Sequence, residues 1–156
     1  MKNTVKMKRD GYFGIGVMGL KYDDNYGTLL RTAQVFGADF IFIIGRRYKK
    51  QPSDSMNSWK HIPLFEYEDF EDFYKHLPYG VKLIAIELDD KAVSIKTYKH
   101  PKSACYLLGS EDWGLPQEVL EKCKDIVYLP GEKSLNVSVA GSITLFDRLM
   151  KSDSFS

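Results

Sequence analysis

The apolar run at 39–45, Asp-Phe-Ile-Phe-Ile-Ile-Gly, most constrains what this chain can fold into. It is too short for a buried helix and it ends at a glycine, so it predicts a strand that is covered on both faces. Similar runs alternate along the chain with helical patterns, and this alternation predicts an α/β domain with a largely parallel sheet. The predicted strands are 12–20, 39–45, 81–88, 103–109 and 125–131, and the predicted helices are 28–36, 67–77, 116–123 and 136–150.

The composition indicates an ordinary globular protein. Of its 156 residues, 44% are hydrophobic and 28% are charged, so the chain can bury a core without disulfides or metals. No apolar run approaches the ~20 residues that span a bilayer, and the first ten residues lack the apolar segment of a secretory signal. We therefore expect one domain over 1–156 with a flexible basic end at 1–10, located in the cytoplasm and away from membranes.

The cysteines, histidines and basic clusters allow weaker predictions. Cys105 and Cys123 have no metal-ligand spacing and the three histidines are scattered, so we expect two buried, reduced thiols and no metal site. A net charge of +1 argues neither for nor against a nucleic acid partner. Two basic clusters with an interleaved tyrosine, at 46–50 and 96–102, are either solvated loops or RNA contacts. The polar loop at 46–59 is long enough to predict a function, although it contains no recognisable motif.

Polar or glycine-rich segments follow three of the predicted strands, at 87–90, 108–114 and 129–136. Ligands of parallel sheets bind beyond the carboxyl ends of the strands, so these segments are candidates for a binding site. Gly109 would let the backbone approach a ligand, and Glu111 would orient backbone donors in the following turn. Ser134 and Asn136 are either caps of the last helix or polar groups of a site. Dinucleotide, triphosphate and hydrolase motifs are absent from the sequence.

Three of these segments together resemble the SpoU-type 2′-O-ribose RNA methyltransferases of the SPOUT superfamily. Asn25, Gly27 and Arg31 match the family's N-x-G-x-x-x-R, and the run from Gly109 to Leu115 matches G-x-E-x-x-G-L. The third segment, Ser-Leu-Asn-Val-Ser-Val-Ala at 134–140, follows in order. The resemblance spans about 12–150 and implies a Rossmann-like, largely parallel sheet with a C-terminal deep trefoil knot. General topology rules disfavour such a knot, so only the resemblance predicts it.

The resemblance also implies a cofactor, S-adenosyl-L-methionine, held at the ends of the third, fourth and fifth predicted strands. Such a pocket needs apolar walls and a few backbone donors and acceptors, which strand-end loops can provide. The cofactor-binding residues implied by the motifs are Ile86, Leu108, Gly109, Leu129, Gly131, Ser134, Leu135 and Asn136.

The catalytic set implied by the motifs is Arg31, Asn25, Glu111, Ser134 and Asn136. A guanidinium is a poor general base, so Arg31 is expected to grip a phosphate and stabilise the developing alkoxide, often across a dimer interface. Asn25 would position Arg31 or the ribose, and Glu111 and Ser134 would organise the loops around the substrate.

The partners implied by the resemblance are RNA, not DNA, and a second copy of the chain bound through the first and last helices. Small members without a separate RNA-binding domain include tRNA wobble-position methyltransferases, so tRNA is favoured and ribosomal RNA is the alternative. Two further interpretations stay open: a knotted protein that binds RNA without catalysis, and a base methyltransferase of the same fold. Trp113, at a variable position of the second motif, either stacks on a base or covers the pocket.

Overall fold

A computed structural model describes residues 11–19, 23–45, 62–110 and 112–156. Within these ranges seven strands form one parallel sheet in the order β3-β2-β1-β6-β4-β7-β5, which confirms the predicted α/β class. The knot stays a prediction. The strands are β1 (Tyr12–Met18), β2 (Phe40–Ile44), β3 (Leu64–Tyr67), β4 (Lys82–Ile86), β5 (Val93–Ser94), β6 (Ser103–Gly109) and β7 (Asp125–Tyr128), and the helices are α1 (Asp23–Val35), α2 (Phe70–Lys75), α3 (Gln117–Leu120) and α4 (Val137–Met150).

The inner strand β1 has two different faces. Ile15 belongs to the core beneath α1 and α4. On the opposite face, Gly14 and Gly16 carry no side chain, and the rings of Phe40 and Phe42 from β2 occupy the space that a Cβ would need. The alternation of small and large residues therefore closes the contact between β1 and β2.

The helices cover the sheet in two pairs. On one face α1 and α4 pack against each other and against the sheet, and Leu29 of α1 is fully buried opposite Gly141 of α4. On the other face α2 and α3 cover a second core, in which the rings of Phe42 and Phe73 stack with centroids 4.5 Å apart. Both faces are apolar, as expected for a parallel sheet covered on each side.

Some predicted boundaries were wrong. The predicted helix at 67–77 begins only at Phe70, because Asp69 caps α2 by accepting from the Asp72 backbone N–H at 2.8 Å. Tyr67 instead belongs to β3, an edge strand that the sequence analysis missed. The two-residue strand β5 at the other edge was missed as well. Among the helices, α1 starts earlier than predicted and α3 has only four residues.

The basic cluster at 96–102 has a buried tyrosine. Tyr98 is buried and donates a hydrogen bond to the Asp125 carboxylate at 2.8 Å, whereas Lys96, Lys99 and Lys102 are exposed. Burial and the bond to Asp125 raise the pKa of the Tyr98 hydroxyl. The tyrosine is thus a structural residue and not an RNA contact. The other cluster at 46–50, the 46–59 loop and the N-terminal ten residues lie outside the described residues.

Both cysteines are free thiols. Cys105 is fully buried, and burial raises its pKa well above the usual value. Cys123 is only half-buried; its thiol donates to the Val119 carbonyl, and burial raises its pKa to about 12. Neither thiol is a nucleophile at neutral pH. Among the described residues, no cluster of histidine, cysteine and carboxylate side chains could hold a metal ion, and no helix is long and apolar enough to span a membrane.

Candidate functional site

A cavity of about 750 Å³ opens where β4, β6 and β7 end, beside the first turn of α4. Ile86 at the end of β4, Leu108 in β6, Leu129 after β7 and Ala140 of α4 give it apolar walls. Its volume lies in the range of pockets that bind small molecules. The position agrees with the rule that parallel sheets bind ligands beyond the carboxyl ends of their strands.

Most of the residues predicted to bind a cofactor surround this cavity. Asn136 is the exception, since it does not line the cavity wall. Residues from three separate segments of the chain therefore line one cavity, and their role in binding a cofactor stays a prediction. The seven predicted residues that line the cavity are Ile86, Leu108, Gly109, Leu129, Gly131, Ser134 and Leu135.

Asn136 connects the last helix to the first. Its side-chain oxygen accepts from the backbone N–H of Ser138 at 2.9 Å and caps α4, which confirms the capping interpretation for this residue. Its side-chain nitrogen donates to the Asn25 oxygen of α1 at 2.8 Å. Two residues that are 111 positions apart in the sequence are thus joined directly. Ser134 lies before the cap, exposed at the edge of the cavity.

Arg31 is not among the residues that line the cavity of its own chain. Its side chain is exposed on α1, and Thr28 and Val35 are exposed at helical spacing on either side. The structure therefore brings Asn25 and Asn136 together but leaves Arg31 on an outer helix face. Glu111 lies outside the described residues.

The turn after β6 folds back tightly on the strand end. The Gly114 N–H donates to the Ser110 carbonyl at 2.9 Å, and Gly114 adopts a φ of +64°. A Cβ at Gly109 would lie 2.5 Å from the Gly114 carbonyl carbon. The turn itself therefore requires Gly109, and the approach of a ligand to its backbone stays a prediction.

Glu87, which the sequence analysis did not single out, anchors this turn. Its carboxylate accepts from the Leu115 N–H at 2.9 Å and from the Leu88 N–H at 3.0 Å. The sequence signal was its place directly after a buried strand, but its partner Leu115 is 28 positions away. Because Asp89 and Glu132 also line the cavity, the apolar walls are accompanied by three carboxylates.

Comparison with known proteins agrees with this architecture. The model of the SpoU rRNA Methylase family matches residues 13–146. The tRNA (guanosine(18)-2′-O)-methyltransferase of Escherichia coli is 27% identical over 129 residues, covering 79% of this chain and 56% of that protein. An uncharacterized tRNA/rRNA methyltransferase of Archaeoglobus fulgidus is 31% identical over 130 residues, covering 78% of this chain and 57% of that protein. This chain thus spans little more than half the length of these curated relatives.

Solved structures share the fold. An AdoMet-bound rRNA methyltransferase from Sinorhizobium meliloti superposes with a TM-score of 0.78 at 28% identity, covering 89% of this chain and 56% of that one. The TrmH/SpoU tRNA modifying enzyme of A. aeolicus gives a TM-score of 0.80 at 21% identity, covering 94% and 78%, a likeness that shows the fold alone. Because the family model covers most of the chain and these structures repeat its fold, the chain belongs to the SpoU methylase family.

Proposed function

We propose that this chain transfers a methyl group from S-adenosyl-L-methionine to a ribose 2′-hydroxyl of RNA. The observation that carries the proposal is the cavity at the ends of β4, β6 and β7, next to the bonded pair Asn25 and Asn136. Family membership supports the same reaction class. We take tRNA as the first candidate substrate, because the curated relative from Escherichia coli is a tRNA methyltransferase, and ribosomal RNA as the second.

The chemistry of the cavity fits this cofactor. Ile86, Leu108 and Leu129 offer apolar surface of the kind that an adenine ring needs, and Glu87 and Asp89 offer negative charge toward a cationic ligand. When bound, S-adenosyl-L-methionine supplies a methyl group that its sulfonium has already activated. The protein would still have to hold the acceptor in line and assist a poor nucleophile, the ribose hydroxyl, whose proton would pass to a phosphate or to solvent. Orientation of this kind can lower a barrier by several kcal/mol.

The residues of the first motif would act on the RNA. The Arg31 guanidinium, which carries its charge at neutral pH, would hold a phosphate and stabilise the developing alkoxide. Asn25 has its side chain fixed by the bond to Asn136, so it can orient a ribose or the arginine. A fixed donor loses little entropy when the substrate binds, which favours a positioning role for Asn25.

In our proposal the chain forms a homodimer, in which Arg31 reaches the cavity of the partner protomer. The face formed by α1 and α4 leaves several large apolar side chains half-exposed, and Arg31 lies one helical turn from Val35 on that face. Such a patch is typical of an interface between chains. Pairing through it would let the Arg31 of one protomer serve the cavity of its partner. The exposed apolar residues of the patch are Val35, Val139, Ile143, Phe146 and Met150.

The reaction is tested by transfer of labelled methyl groups from S-adenosyl-L-methionine to purified tRNA and, separately, to ribosomal RNA. We expect a 2′-O-methyl nucleoside in the digested product, and loss of transfer in Arg31→Ala. Lys75→Ala is the matched control, since Lys75 is exposed on α2 over the opposite face of the sheet.

Other outcomes distinguish the alternatives. A methylated product that nuclease P1 digests completely to mononucleotides would favour a base methyltransferase. Binding of cofactor and RNA without any transfer would favour the non-catalytic protein. Full transfer by Arg31→Ala would refute the role of this arginine.

The dimer is tested by sedimentation of Ile143→Glu at several protein concentrations. A buried unpaired carboxylate is costly at an apolar interface, so we expect this variant to be a monomer with reduced methyl transfer. A wild-type protein that sediments as a monomer at all concentrations would refute the shared site.

A further inference from the structure

Trp113 is the most exposed large aromatic side chain beside the cavity. Its relative exposure is 89%, although the residue also lines the cavity mouth. A tryptophan that packs in a core buries most of its ring. Core packing therefore does not explain this side chain in the described part of the molecule.

The turn that carries Trp113 is held in place. The Trp113 N–H donates to the Ser110 hydroxyl at 3.2 Å, and the next residue, Gly114, donates to the Ser110 carbonyl at 2.9 Å. Glu87 fixes the following N–H of Leu115 at 2.9 Å. The backbone N–H groups from Trp113 to Leu115 are thus bonded to Ser110 within the same turn and to Glu87 of another segment. An exposed ring on a fixed backbone can bind a partner at a low entropic cost, because the main chain loses little freedom on binding.

The surroundings of the ring favour a nucleobase as that partner. Lys133 lines the same cavity and is exposed, so a flat apolar surface and a cation lie around one opening, although the carboxylates of Glu87, Asp89 and Glu132 share that lining. Sites for single-stranded nucleic acids combine these two elements, with bases on aromatic rings and the backbone near positive charge. A protein partner would instead be expected to bury a wider apolar patch, of the kind found on α1 and α4.

We propose that Trp113 is a stacking platform for an unpaired base of the RNA substrate, placed so that the ribose of that nucleotide or of its neighbour enters the cavity. The inference rests on the proposed function, and it assigns a role to a variable position of the second motif, whose residue type the motif does not specify. It also gives the chain a preference for looped or unpaired RNA, since a base within a duplex offers no free face.

The test compares Trp113→Ala, Trp113→Phe and the control Tyr79→Ala. Tyr79 is fully exposed but precedes β4, at the end of the sheet away from the cavity. Binding of unfractionated tRNA and of S-adenosyl-L-methionine is measured separately for each protein, together with the thermal midpoint. Stacking on one base contributes enough that Trp113→Ala should weaken tRNA binding about 5-fold or more, with a smaller loss in Trp113→Phe. Cofactor affinity, thermal midpoint and the control should not change.

Fluorescence gives a second measurement. The chain has two tryptophans, so the difference between wild type and Trp113→Phe isolates the signal of Trp113 from that of Trp59. We expect tRNA to quench this signal and inorganic polyphosphate, which lacks bases, to leave it unchanged. Quenching by both would indicate a charge effect and overturn the stacking role.

The remaining outcomes separate this inference from the proposed function. Unchanged tRNA affinity in Trp113→Ala overturns the inference, and so does a loss confined to cofactor affinity, which would make Trp113 part of the cofactor pocket. A change in oligomeric state with unchanged tRNA affinity would assign the ring to a protein contact and also overturn it. If the wild type binds tRNA through Trp113 but transfers no methyl group, the proposed reaction fails while the platform stands.

Discussion

The contact between α1 and α4 makes a quantitative prediction for Gly141→Ala. A Cβ at position 141 would lie 2.5 Å from Leu29 Cδ1, 3.4 Å from Ile15 Cδ1 and 3.9 Å from Leu108 Cδ1. Leu29 is fully buried, so its methyl group cannot move away into solvent. Overpacking of this kind costs about 1–3 kcal/mol, while replacing glycine by alanine within a helix gains about 1 kcal/mol. The net expectation is a loss of roughly 0–2 kcal/mol.

A double-mutant cycle separates the two contributions. Leu29→Ala alone should cost about 2–5 kcal/mol, because it leaves a cavity. It also removes the methyl group that obstructs position 141, so Gly141→Ala in that background should stabilise by about 1 kcal/mol, its helix-propensity gain. The two substitutions should therefore couple by about 1–3 kcal/mol.

The assay is urea unfolding of the four proteins at one fixed protein concentration, since association would otherwise shift the midpoints. The thermal midpoint should follow, by about 2–4 °C for each kcal/mol in a chain of this size. Additivity of the two substitutions within about 0.5 kcal/mol would refute the reasoning, as would stabilisation by Gly141→Ala in the wild-type background.

Two further predictions concern a buried histidine and a half-buried carboxylate. His100 is 1% exposed, with Nδ1 2.7 Å from the Tyr106 hydroxyl and Nε2 2.7 Å from the Asp147 carboxylate. Burial lowers the pKa of His100 although Asp147 opposes the shift, so the unfolded chain binds the proton first as the pH falls. The free energy of unfolding should decrease as the pH drops through about 6.5, and His100→Gln should flatten this dependence; an equal slope in both proteins would contradict it. Glu87→Gln leaves one acceptor oxygen for two N–H groups, so isothermal titration should show S-adenosyl-L-methionine binding about 5-fold more weakly, and unchanged affinity would rule out its role in shaping the cavity.

Local signals in the sequence were sufficient for the middle of the sheet. The run at 39–45 predicted β2 because an unbroken apolar segment bounded by glycine has few other solutions. The edge strands β3 and β5 were missed, because each pairs with one neighbour only and is too short to show a period. The predicted helix began too early, at residue 67, because the aromatic pattern includes Tyr67, which belongs to β3. The capping role of Asp69, which marks the start of α2, was not recognised.

The sequence predicted site residues only where a family motif matched, because local physical rules do not connect positions that are distant in the chain. The cavity-lining positions followed from the resemblance, and no local rule joins Asn25 to Asn136 across 111 residues. Glu87 was missed because its importance comes from one long-range bond to Leu115. The sequence analysis of Gly109 missed one reason for the glycine, since the atoms that a Cβ would meet belong to a turn that only the folded chain brings near.

The strand order has a consequence for synthesis of the protein. The inner strand β1 is made well before one of its two neighbours, because β6 follows only after about 85 further residues. At translation rates of about 5–20 residues per second, one edge of β1 stays unpaired on the ribosome for roughly 4–17 s. An unpaired apolar strand is a template for wrong partners during that interval. Production of this protein should therefore depend on chaperones that hold nascent chains, and more strongly when elongation is slow.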